Sequence, residues 1–456
     1  MPAAEKTTPN ASPALDFKNP PDQKVIDACV HCGFCLATCP SYRVLGKETD
    51  SPRGRIYLMN ELNQGEIPLS PSTVEHFDSC LGCLACATAC PAGVDYGELI
   101  AATRSQIERN HPRPWVEKLF RQLLFSTFPY PRRLRWLLGP LALYQRTGLQ
   151  SLLRRSDLLE KLLPQPLVAM ESLAPEVTAD AFTDPWPEVI PAQGETRYRV
   201  GMILGCVQRV FLPEVNAATI RVLTANGCEV IIPKSQGCCG ALSQHQGQEE
   251  QAQDLARQMM DAFANEKLDA VLINASGCGH TLKEYGQILA EDADYCERAQ
   301  AFANQVQDVQ EFLDSVGLTT PLSPLQAEPL SVVYQDACHM LHGQKIQEQP
   351  RRLLKQIPGL ELREPADAAL CCGSAGIYNI LQPEVGDELG RQKVRNLCNT
   401  KATVIASANV GCNMQLRKHL ALQQQEVPIL HPMQLLDFSI RSVALSDGVS
   451  GHDLEQ

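Results

Sequence analysis

The sequence predicts a multidomain chain in which a mainly α-helical amino-terminal domain is followed by two tandem α/β modules. Three observations predict it: 19 cysteines in 456 residues, one cysteine spacing used twice between residues 29 and 90, and an internal repeat in the carboxy-terminal half. A chain of this length suits about three domains. Apolar residues at 44% and charged residues at 20% are ordinary globular usage and exclude a collagen-like, coiled-coil or wholly disordered chain. The formal net charge of −12 gives no support to a nucleic-acid partner held through its phosphates. No run of about 18 apolar residues occurs, and the opening MPAAEKTTPNASP lacks the apolar core of an export signal. A cytoplasmic chain that does not span a bilayer is therefore expected. Cysteine-rich chains without an export signal point to metal or redox chemistry, because reducing compartments do not keep structural disulfides.

Residues 1–20 read as a flexible terminus and 21–103 as the first folded domain. Cys29, Cys32, Cys35 and Cys39 stand in CVHCGFCLATCP, and Cys80, Cys83, Cys86 and Cys90 in CLGCLACATACP. Each run is C-x2-C-x2-C-x3-C-P. Gaps of two let three thiolates turn inward onto three irons of one cubane, whereas the fourth cysteine points elsewhere; in two-cluster proteins with this spacing it ligates the other cluster. That rule assigns Cys29, Cys32, Cys35 and Cys90 to one 4Fe–4S cluster, and Cys80, Cys83, Cys86 and Cys39 to a second. Zinc also suits paired C-x2-C units, but not three close cysteines with a fourth before proline, twice over. Pro40 and Pro91 bend the chain away after the fourth cysteine. Between the runs, SPRGRIYLMNEL has a Ser-Pro helix start and apolar Ile56, Leu58, Met59 and Leu62, which predict a helix. Asp95 and Glu98 have capping-box spacing before LIAATRSQIERNH, predicted to end at or before Pro112. The expected domain is helical and ferredoxin-like. Arg53 and Arg55 read either as offsets to cluster charge or as a solvated face. His31 reads as a nearby or surface imidazole, since each cluster already has four thiolates.

Residues 104–195 change character. Between 104 and 161, 12 Lys and Arg stand against 4 Asp and Glu, with aromatics from Trp115 to Tyr144 and apolar Trp115, Leu119 and Leu123 at helical spacing. A basic, aromatic, amphipathic connector suits an anionic membrane surface, a partner subunit, or packing on the cluster domain. The Pro- and acid-rich PEVTADAFTDPWPEVIPAQGE that follows reads as a linker.

The rest is one module written twice, over 196–325 and 326–440, with 441–456 as a tail. The strand RYRVGMILGCVQ leads to Cys206, a helix and strand follow in ATIRVLTANGCEVIIP, then Cys238-Cys239, a helix, the strand AVLINAS, and Cys278 in a Gly-Cys-Gly turn. LSVVYQDACHM restarts the series at Cys338, which continues through Cys371-Cys372 to the strand ATVIASAN and Cys412. The units are C-x31-CC-x38-C and C-x32-CC-x39-C, and matching cysteines lie 132 to 134 residues apart. Strand ends of a parallel α/β sheet meet in one crevice, so four sulfurs should converge in each module. Such placement favours a metal or redox role, a further iron–sulfur cluster or zinc, over packing; each adjacent pair also suits a labile vicinal disulfide. Cys228, Cys296 and Cys398 fall outside the repeat and read as packing residues. His280, His339 and His342 lie near these turns and read as surface side chains rather than ligands.

The double cysteine run with SPRGRIYLM between, followed by NASGCGHTLKEYG and LCCGSAGIYNI, resembles the family of glycolate oxidase (glycolate dehydrogenase) iron–sulfur subunits over residues 20 to 440. Lactate-utilisation and anaerobic glycerol-3-phosphate dehydrogenase cluster subunits are similar in architecture, and heterodisulfide reductase more remotely so. The resemblance implies an electron-transfer subunit without a catalytic residue of its own; a zinc-stabilised assembly scaffold, in which the cysteines fold the chain without redox turnover, is the alternative from another class. Its partners would be flavoprotein subunits that oxidise glycolate to glyoxylate, and its electrons would pass toward a membrane quinone pool from a peripheral site on the cytoplasmic face of the inner membrane. The eight amino-terminal cysteines carry over one for one. One departure stands out: where the wider CCG group ends each module in C-x2-C, this chain has Ala275 and Asn409 three residues before Cys278 and Cys412. No G-x-G-x-x-G after a strand, P-loop or G-x-S-x-G turn is found, and neither a nicotinamide nor a flavin site is expected.

Overall fold

In the computed structural model, which describes residues 14–155, 161 and 163–448, the chain divides into two units. One is formed by the chain up to Lys118 with Gln244–Glu249, the other by Leu119–Ser243 and Glu250 onward. The first unit is helical throughout its described residues, with helices Gln23–Asp27, Pro40–Leu45, Pro52–Asn63, Pro71–Asp78, Ala85–Ala89 and Tyr96–Asn110. Three of the six start on proline, whose missing N–H costs nothing in a first turn. Ser51 caps the third by accepting from the Gly54 N–H at 3.1 Å, and Asp95 caps the last by accepting from the Glu98 N–H at 3.1 Å. Their inner faces, Ile56, Met59, Leu62, Phe77, Leu99 and Ile107, form one core. The expected boundary at residue 103 falls inside the helix Tyr96–Asn110, so it is moved outward; nothing in the periodicity of that helix changes at 103. Of the expected flexible terminus, residues 1–13 lie outside the described residues, while Leu15 is buried and Asp16 pairs with Arg109 at 2.8 Å.

The second unit contains two sheets of matching order. The first holds β1 (Val189–Ile190), β2 (Tyr198–Ile203), β3 (Cys228–Ile231), β4 (Ala270–Ile273) and β5 (Val306–Asp308), ordered β1-β3-β2-β4-β5. The second holds β6 (Leu330–Gln335), β7 (Leu360–Arg363), β8 (Val404–Ser407) and β9 (Ile429–Leu430), ordered β7-β6-β8-β9. Without β1 the two orders are the same, which bears out the repeat. Val200 stands opposite Val230 and Ala270, as Val332 stands opposite Leu362 and Val404. All but β1 run parallel to their neighbours, and the central strands β4, β6 and β8 are buried along their whole length, as parallel strands covered on both faces must be. The segment read as a linker is only partly one: it contains the helix Gln165–Leu173, and β1 pairs antiparallel with β3 at Val189–Ile231. Two residues pairing at a sheet edge leave too short a pattern to be seen among prolines. The modules share one core, and the helix Pro213–Ala225 of the first packs on Pro432–Ile440 of the second, where Arg221 grips Asp437 with bonds of 2.9 and 2.8 Å. In the expected tail, residues 449–456 lie outside the described residues, and the Leu445 N–H bonds the Leu325 carbonyl at 2.9 Å.

The connector forms the helices Trp115–Thr127, Pro131–Arg146 and Leu149–Arg155. On the first of these the stripe Trp115, Leu119 and Leu123 is 77, 59 and 49% exposed, and Arg121, Leu124 and Phe125 are buried instead. Among the described residues no helix is long and apolar enough to cross a membrane.

Candidate metal centres

Both cysteine runs of the first unit bend the same way. The second and fourth residues after the first cysteine are left-handed in each: His31 and Gly33 at φ +52° and +85°, Gly82 and Leu84 at +65° and +62°. Left-handed residues on either side of Cys32 and of Cys83 curl the backbone into a concave loop. The fourth cysteines, Cys39 and Cys90, share φ −82° and ψ 115°. Cys39 leads into the helix Pro40–Leu45, and Cys90 ends the helix Ala85–Ala89, so each leaves its own loop.

Two cavities result. One is lined by Cys29, Cys32, Cys35, Cys86 and Cys90, the other by Cys39, Cys80, Cys83 and Cys86. The structure thus places Cys90 at the first loop and Cys39 at the second. The cavities differ in exposure. Cys32 is exposed and Cys29, Cys35 and Cys90 are half-buried, whereas Cys39, Cys80, Cys83 and Cys86 are all buried. Val30 and Phe34, 70 and 67% exposed, flank the first cavity.

Polar groups gather at the buried cavity. The Gly82 N–H and the Tyr96 hydroxyl donate to Cys80 Sγ at 3.4 and 3.7 Å, and Ser41 Oγ lies 3.3 Å from Cys39 Sγ. Arg55, fully buried, donates to the His76 carbonyl and to the hydroxyls of Ser41 and Ser79, with Asp50 3.8 Å away. This decides the two readings of Arg55, which does not form a solvated face. Arg104 donates to the Cys80 carbonyl. Burial pushes the Cys80 thiol up, but the Arg55 and Arg104 charges, with the hydrogen bonds from Gly82 and Tyr96, together hold the thiol below its ordinary range. Cys86, buried beside Cys83 and Cys80, is pushed well up. A donor set made only of thiols, with N–H and guanidinium groups aimed at it, fits an anionic thiolate-held group such as an iron–sulfur cluster. At the exposed cavity Arg53 donates to the His31 carbonyl at 3.0 Å and pairs with Glu48, and His31 itself is exposed. Arg104 was not singled out from sequence, although an arginine on the stripe Ile100, Thr103, Arg104 and Ile107 was a visible signal.

In each module the four repeat cysteines come together. Cys206 and Cys238 sulfurs lie 3.3 Å apart, and Cys239 accepts hydrogen bonds from Cys238 and Cys278. In the second module Cys338 and Cys371 are 3.9 Å apart and Cys372 and Cys412 3.2 Å. Thiol donors on both sides draw Cys239 and Cys372 well below the ordinary thiol range, while their neighbours Cys238, Cys278, Cys371 and Cys412 are raised. The sulfurs form a chain; among the described residues no group of three or more His, Cys, Asp or Glu closes on a single ion.

Two expectations are corrected here. Cys278 and Cys412 do not sit in turns: each is the third residue of a helix, Ser276–Lys283 and Val410–Leu422. Their glycines are not among the left-handed residues, whereas Gly240 and Gly373, which follow the cysteine pairs, stand at +83° and +86° and need glycine's left-handed freedom. The departure at Asn409 has a structural use, because its side chain caps the second helix by accepting from the Gly411 and Cys412 N–H groups, whereas Ala275 cannot cap the first. His280 and His342 are buried, not surface side chains. The His280 ring meets His339 edge-on at 4.8 Å, and burial, with the charges of His339, Lys283 and Lys345, depresses it to about 3. Single histidines near glycine-rich segments carry no sequence signal for burial. Cys228 lies in the core, and Cys296 and Cys398 are half-buried.

Comparison with known proteins gives three family matches. Residues 25–94 match a 4Fe–4S dicluster domain, residues 116–174 the linker region of glycolate oxidase iron–sulfur subunits, and residues 200–283 and 332–417 a cysteine-rich domain. The chain is 37% identical over 404 residues to the probable glycolate oxidase iron–sulfur subunit of Bacillus subtilis, covering 88% of this chain and 90% of that one. It is 36% identical over 397 residues to the glycolate oxidase iron–sulfur subunit of Escherichia coli, covering 86 and 90%. Lactate utilization protein A of Oceanobacillus iheyensis is 29% identical over 241 residues, which is 52% of this chain and 96% of that one.

Proposed function

The chain belongs to the family of glycolate oxidase iron–sulfur subunits, and from that premise we propose that it is the electron-transfer subunit of such a complex. It relays electrons from a flavoprotein subunit that oxidises glycolate to glyoxylate toward a membrane quinone. The observation that carries this reading is the pair of sulfur-lined cavities in the first unit, each drawing on both cysteine runs. Cys29, Cys32, Cys35 and Cys90 would hold one 4Fe–4S cluster, and Cys80, Cys83, Cys86 and Cys39 the second. Two such clusters supply one-electron steps, which a relay from a two-electron flavin requires. Around the second site Arg55, Arg104 and Tyr96 supply positive charge and hydrogen bonds to sulfur and keep water out. At the first site Cys32, Val30 and Phe34 face outward, which suits contact with a redox partner. Cys206, Cys238, Cys239 and Cys278, and in the second module Cys338, Cys371, Cys372 and Cys412, would hold a further cluster or zinc once their chained sulfurs turn onto one centre. The exposed Trp115, Leu119 and Leu123 on a basic connector support peripheral attachment to the cytoplasmic face of the inner membrane.

The lactate-utilisation relatives favour one second reading, the same role beside a lactate-oxidising partner. The experiment is anaerobic isolation of the chain alone and with its coexpressed flavoprotein. Alone it should carry about eight iron atoms in the two cubanes, more if the modules are loaded. It should show reducible electron paramagnetic resonance signals and no glycolate turnover. In the complex, glycolate should bleach the cluster absorbance faster than lactate does. A colourless zinc protein, or glycolate oxidation by the chain alone, overturns the proposal.

A further inference from the structure

A cavity of about 530 Å3 in the second unit is lined by no cysteine. Its floor lies just past the ends of β2 and β3, at Leu204, Ile232 and Pro233, and its wall is the start of the helix Pro131–Arg146. The carboxyl ends of parallel strands are where open α/β sheets take their ligands, and the volume is that of an ordinary small-molecule site. Its charge is unbalanced. Arg132, Arg133, Arg135, Arg209 and Lys234 face a single carboxylate, Asp184. That carboxylate is already bonded by Arg135 at 2.7 Å. Arg209 has a side chain only 10% exposed, and its Nε has no hydrogen-bond partner; the nearest acid oxygen, of Asp184, is 3.6 Å away. A buried guanidinium N–H left unbonded costs free energy unless something absent from the chain accepts from it. Tyr130 and Trp186 complete the wall with aromatic surface.

We propose that this cavity binds a small molecule bearing a diphosphate, with Arg209 as the buried anchor and an attached ring against Trp186 and Tyr130. Five cations against one carboxylate suit a group with several negative charges, and guanidinium groups match phosphate oxygens better than any other side chain does. The strand ends belong to the cysteine-rich module, but Tyr130 to Arg135 belong to the linker region, so the site exists only where the two are joined. It is independent of the cluster assignment.

The test is calorimetric titration of the anaerobic, full-length chain at low ionic strength with inorganic pyrophosphate and with ADP, beside flotation with phosphatidylglycerol vesicles. One-to-one saturable binding is expected, tighter for ADP than for pyrophosphate, and weakened at least about tenfold by Arg209→Gln. The rim variant Arg132→Gln, which leaves the buried anchor in place, should weaken it as well, with the visible spectrum and melting temperature unchanged. Vesicle binding that pyrophosphate competes away would also support the site and name a lipid phosphate as its source. Absence of saturable binding up to about 1 mM, or binding indifferent to both variants, overturns the proposal.

Discussion

The two cysteine-rich modules share a strand order, a cysteine spacing and a left-handed glycine after each cysteine pair, yet they bury different chemistry behind the same sulfurs. Leu255 packs against Gly240 as Leu389 packs against Gly373, and four residues further on stand Met259 in the first module and Lys393 in the second, both fully buried. Lys393 donates to the carbonyls of Ala368 and Leu370 at 2.7 and 3.0 Å, and more distantly to Asp367 at 3.4 Å, in the loop that leads into Cys371. Burial pulls its ammonium below the ordinary range, opposed by Cys372, Asp336 and Cys371. The same contrast recurs at the strand ends. Leu204 lies two residues before Cys206, whereas Asp336, two before Cys338, is buried and gripped by Arg351 at 2.9 and 2.8 Å. Arg351 also holds Glu364 at 2.8 Å. The first module answers with neutral amides: Asn274 donates to Asn216 Oδ1 at 3.0 Å and Thr219 Oγ1 at 2.9 Å, and Gln208 donates to Asn216 at 3.1 Å. A duplicated backbone therefore keeps its geometry while its interior charge diverges, because geometry needs only apolar contact and the right glycines.

On that contrast, removing one charged partner should hurt the second module more than any neutral change hurts the first. Arg351→Met should be the worst, costing about 3–5 kcal/mol in denaturant unfolding, since it strands Asp336 unpaired in the interior. Lys393→Met, which installs the first module's residue, should cost about 2–3 kcal/mol by leaving the loop carbonyls without a donor. An unchanged midpoint for either variant would break the comparison.

Acid sharpens it at the seam between the modules. His280, and His431, which bonds the Asn274 carbonyl at 2.9 Å, are depressed by burial to about 3 and about 4. Both stay neutral when folded, while the unfolded chain protonates them near 6.5. The unfolded state therefore binds more protons below about pH 6.5, and these histidines make stability fall as pH drops toward 4. Asp308, raised by burial to about 7, acts oppositely: its contribution is complete below about pH 4 and is lost as pH rises through 7. Asp308→Asn keeps a good helix cap and removes that opposition. Its unfolding free energy should fall more steeply than the parent's on acidification from pH 7 to 5, by up to about 1.4 kcal/mol per pH unit. Parallel curves would refute the assignment. The smallest effect should be Asn409→Ala, about 1 kcal/mol, because it makes the second module's helix start like the uncapped one at Ala275.

Much of the fold was legible because its signals are local. Cysteine gaps, the Ser51-Pro52 helix start and the 132 to 134 residue repeat are written in consecutive residues. The convergence of Cys206, Cys238, Cys239 and Cys278 followed from one general property of parallel sheets. What stayed hidden depends on which neighbour a side chain meets. Lys393 on the stripe Leu389, Lys393 and Leu397 looks like any snorkelling lysine until the loop carbonyls close over it. Strand β1 is only two residues long, and nothing in Val189 and Ile190 announces a partner. Cys278 and Cys412 lie beside glycines, which suggested turns; they are helical because an upstream strand delivers the chain straight into a first turn.

The clasp of Arg221 on Asp437, together with the bond from His431 to the Asn274 carbonyl, ties each copy of the ancient duplication to its twin. Cut between residues 325 and 326, the coding sequence would yield two half-products, each exposing a raw apolar face and an orphaned polar latch. Each module thus lacks part of its own interior without the other.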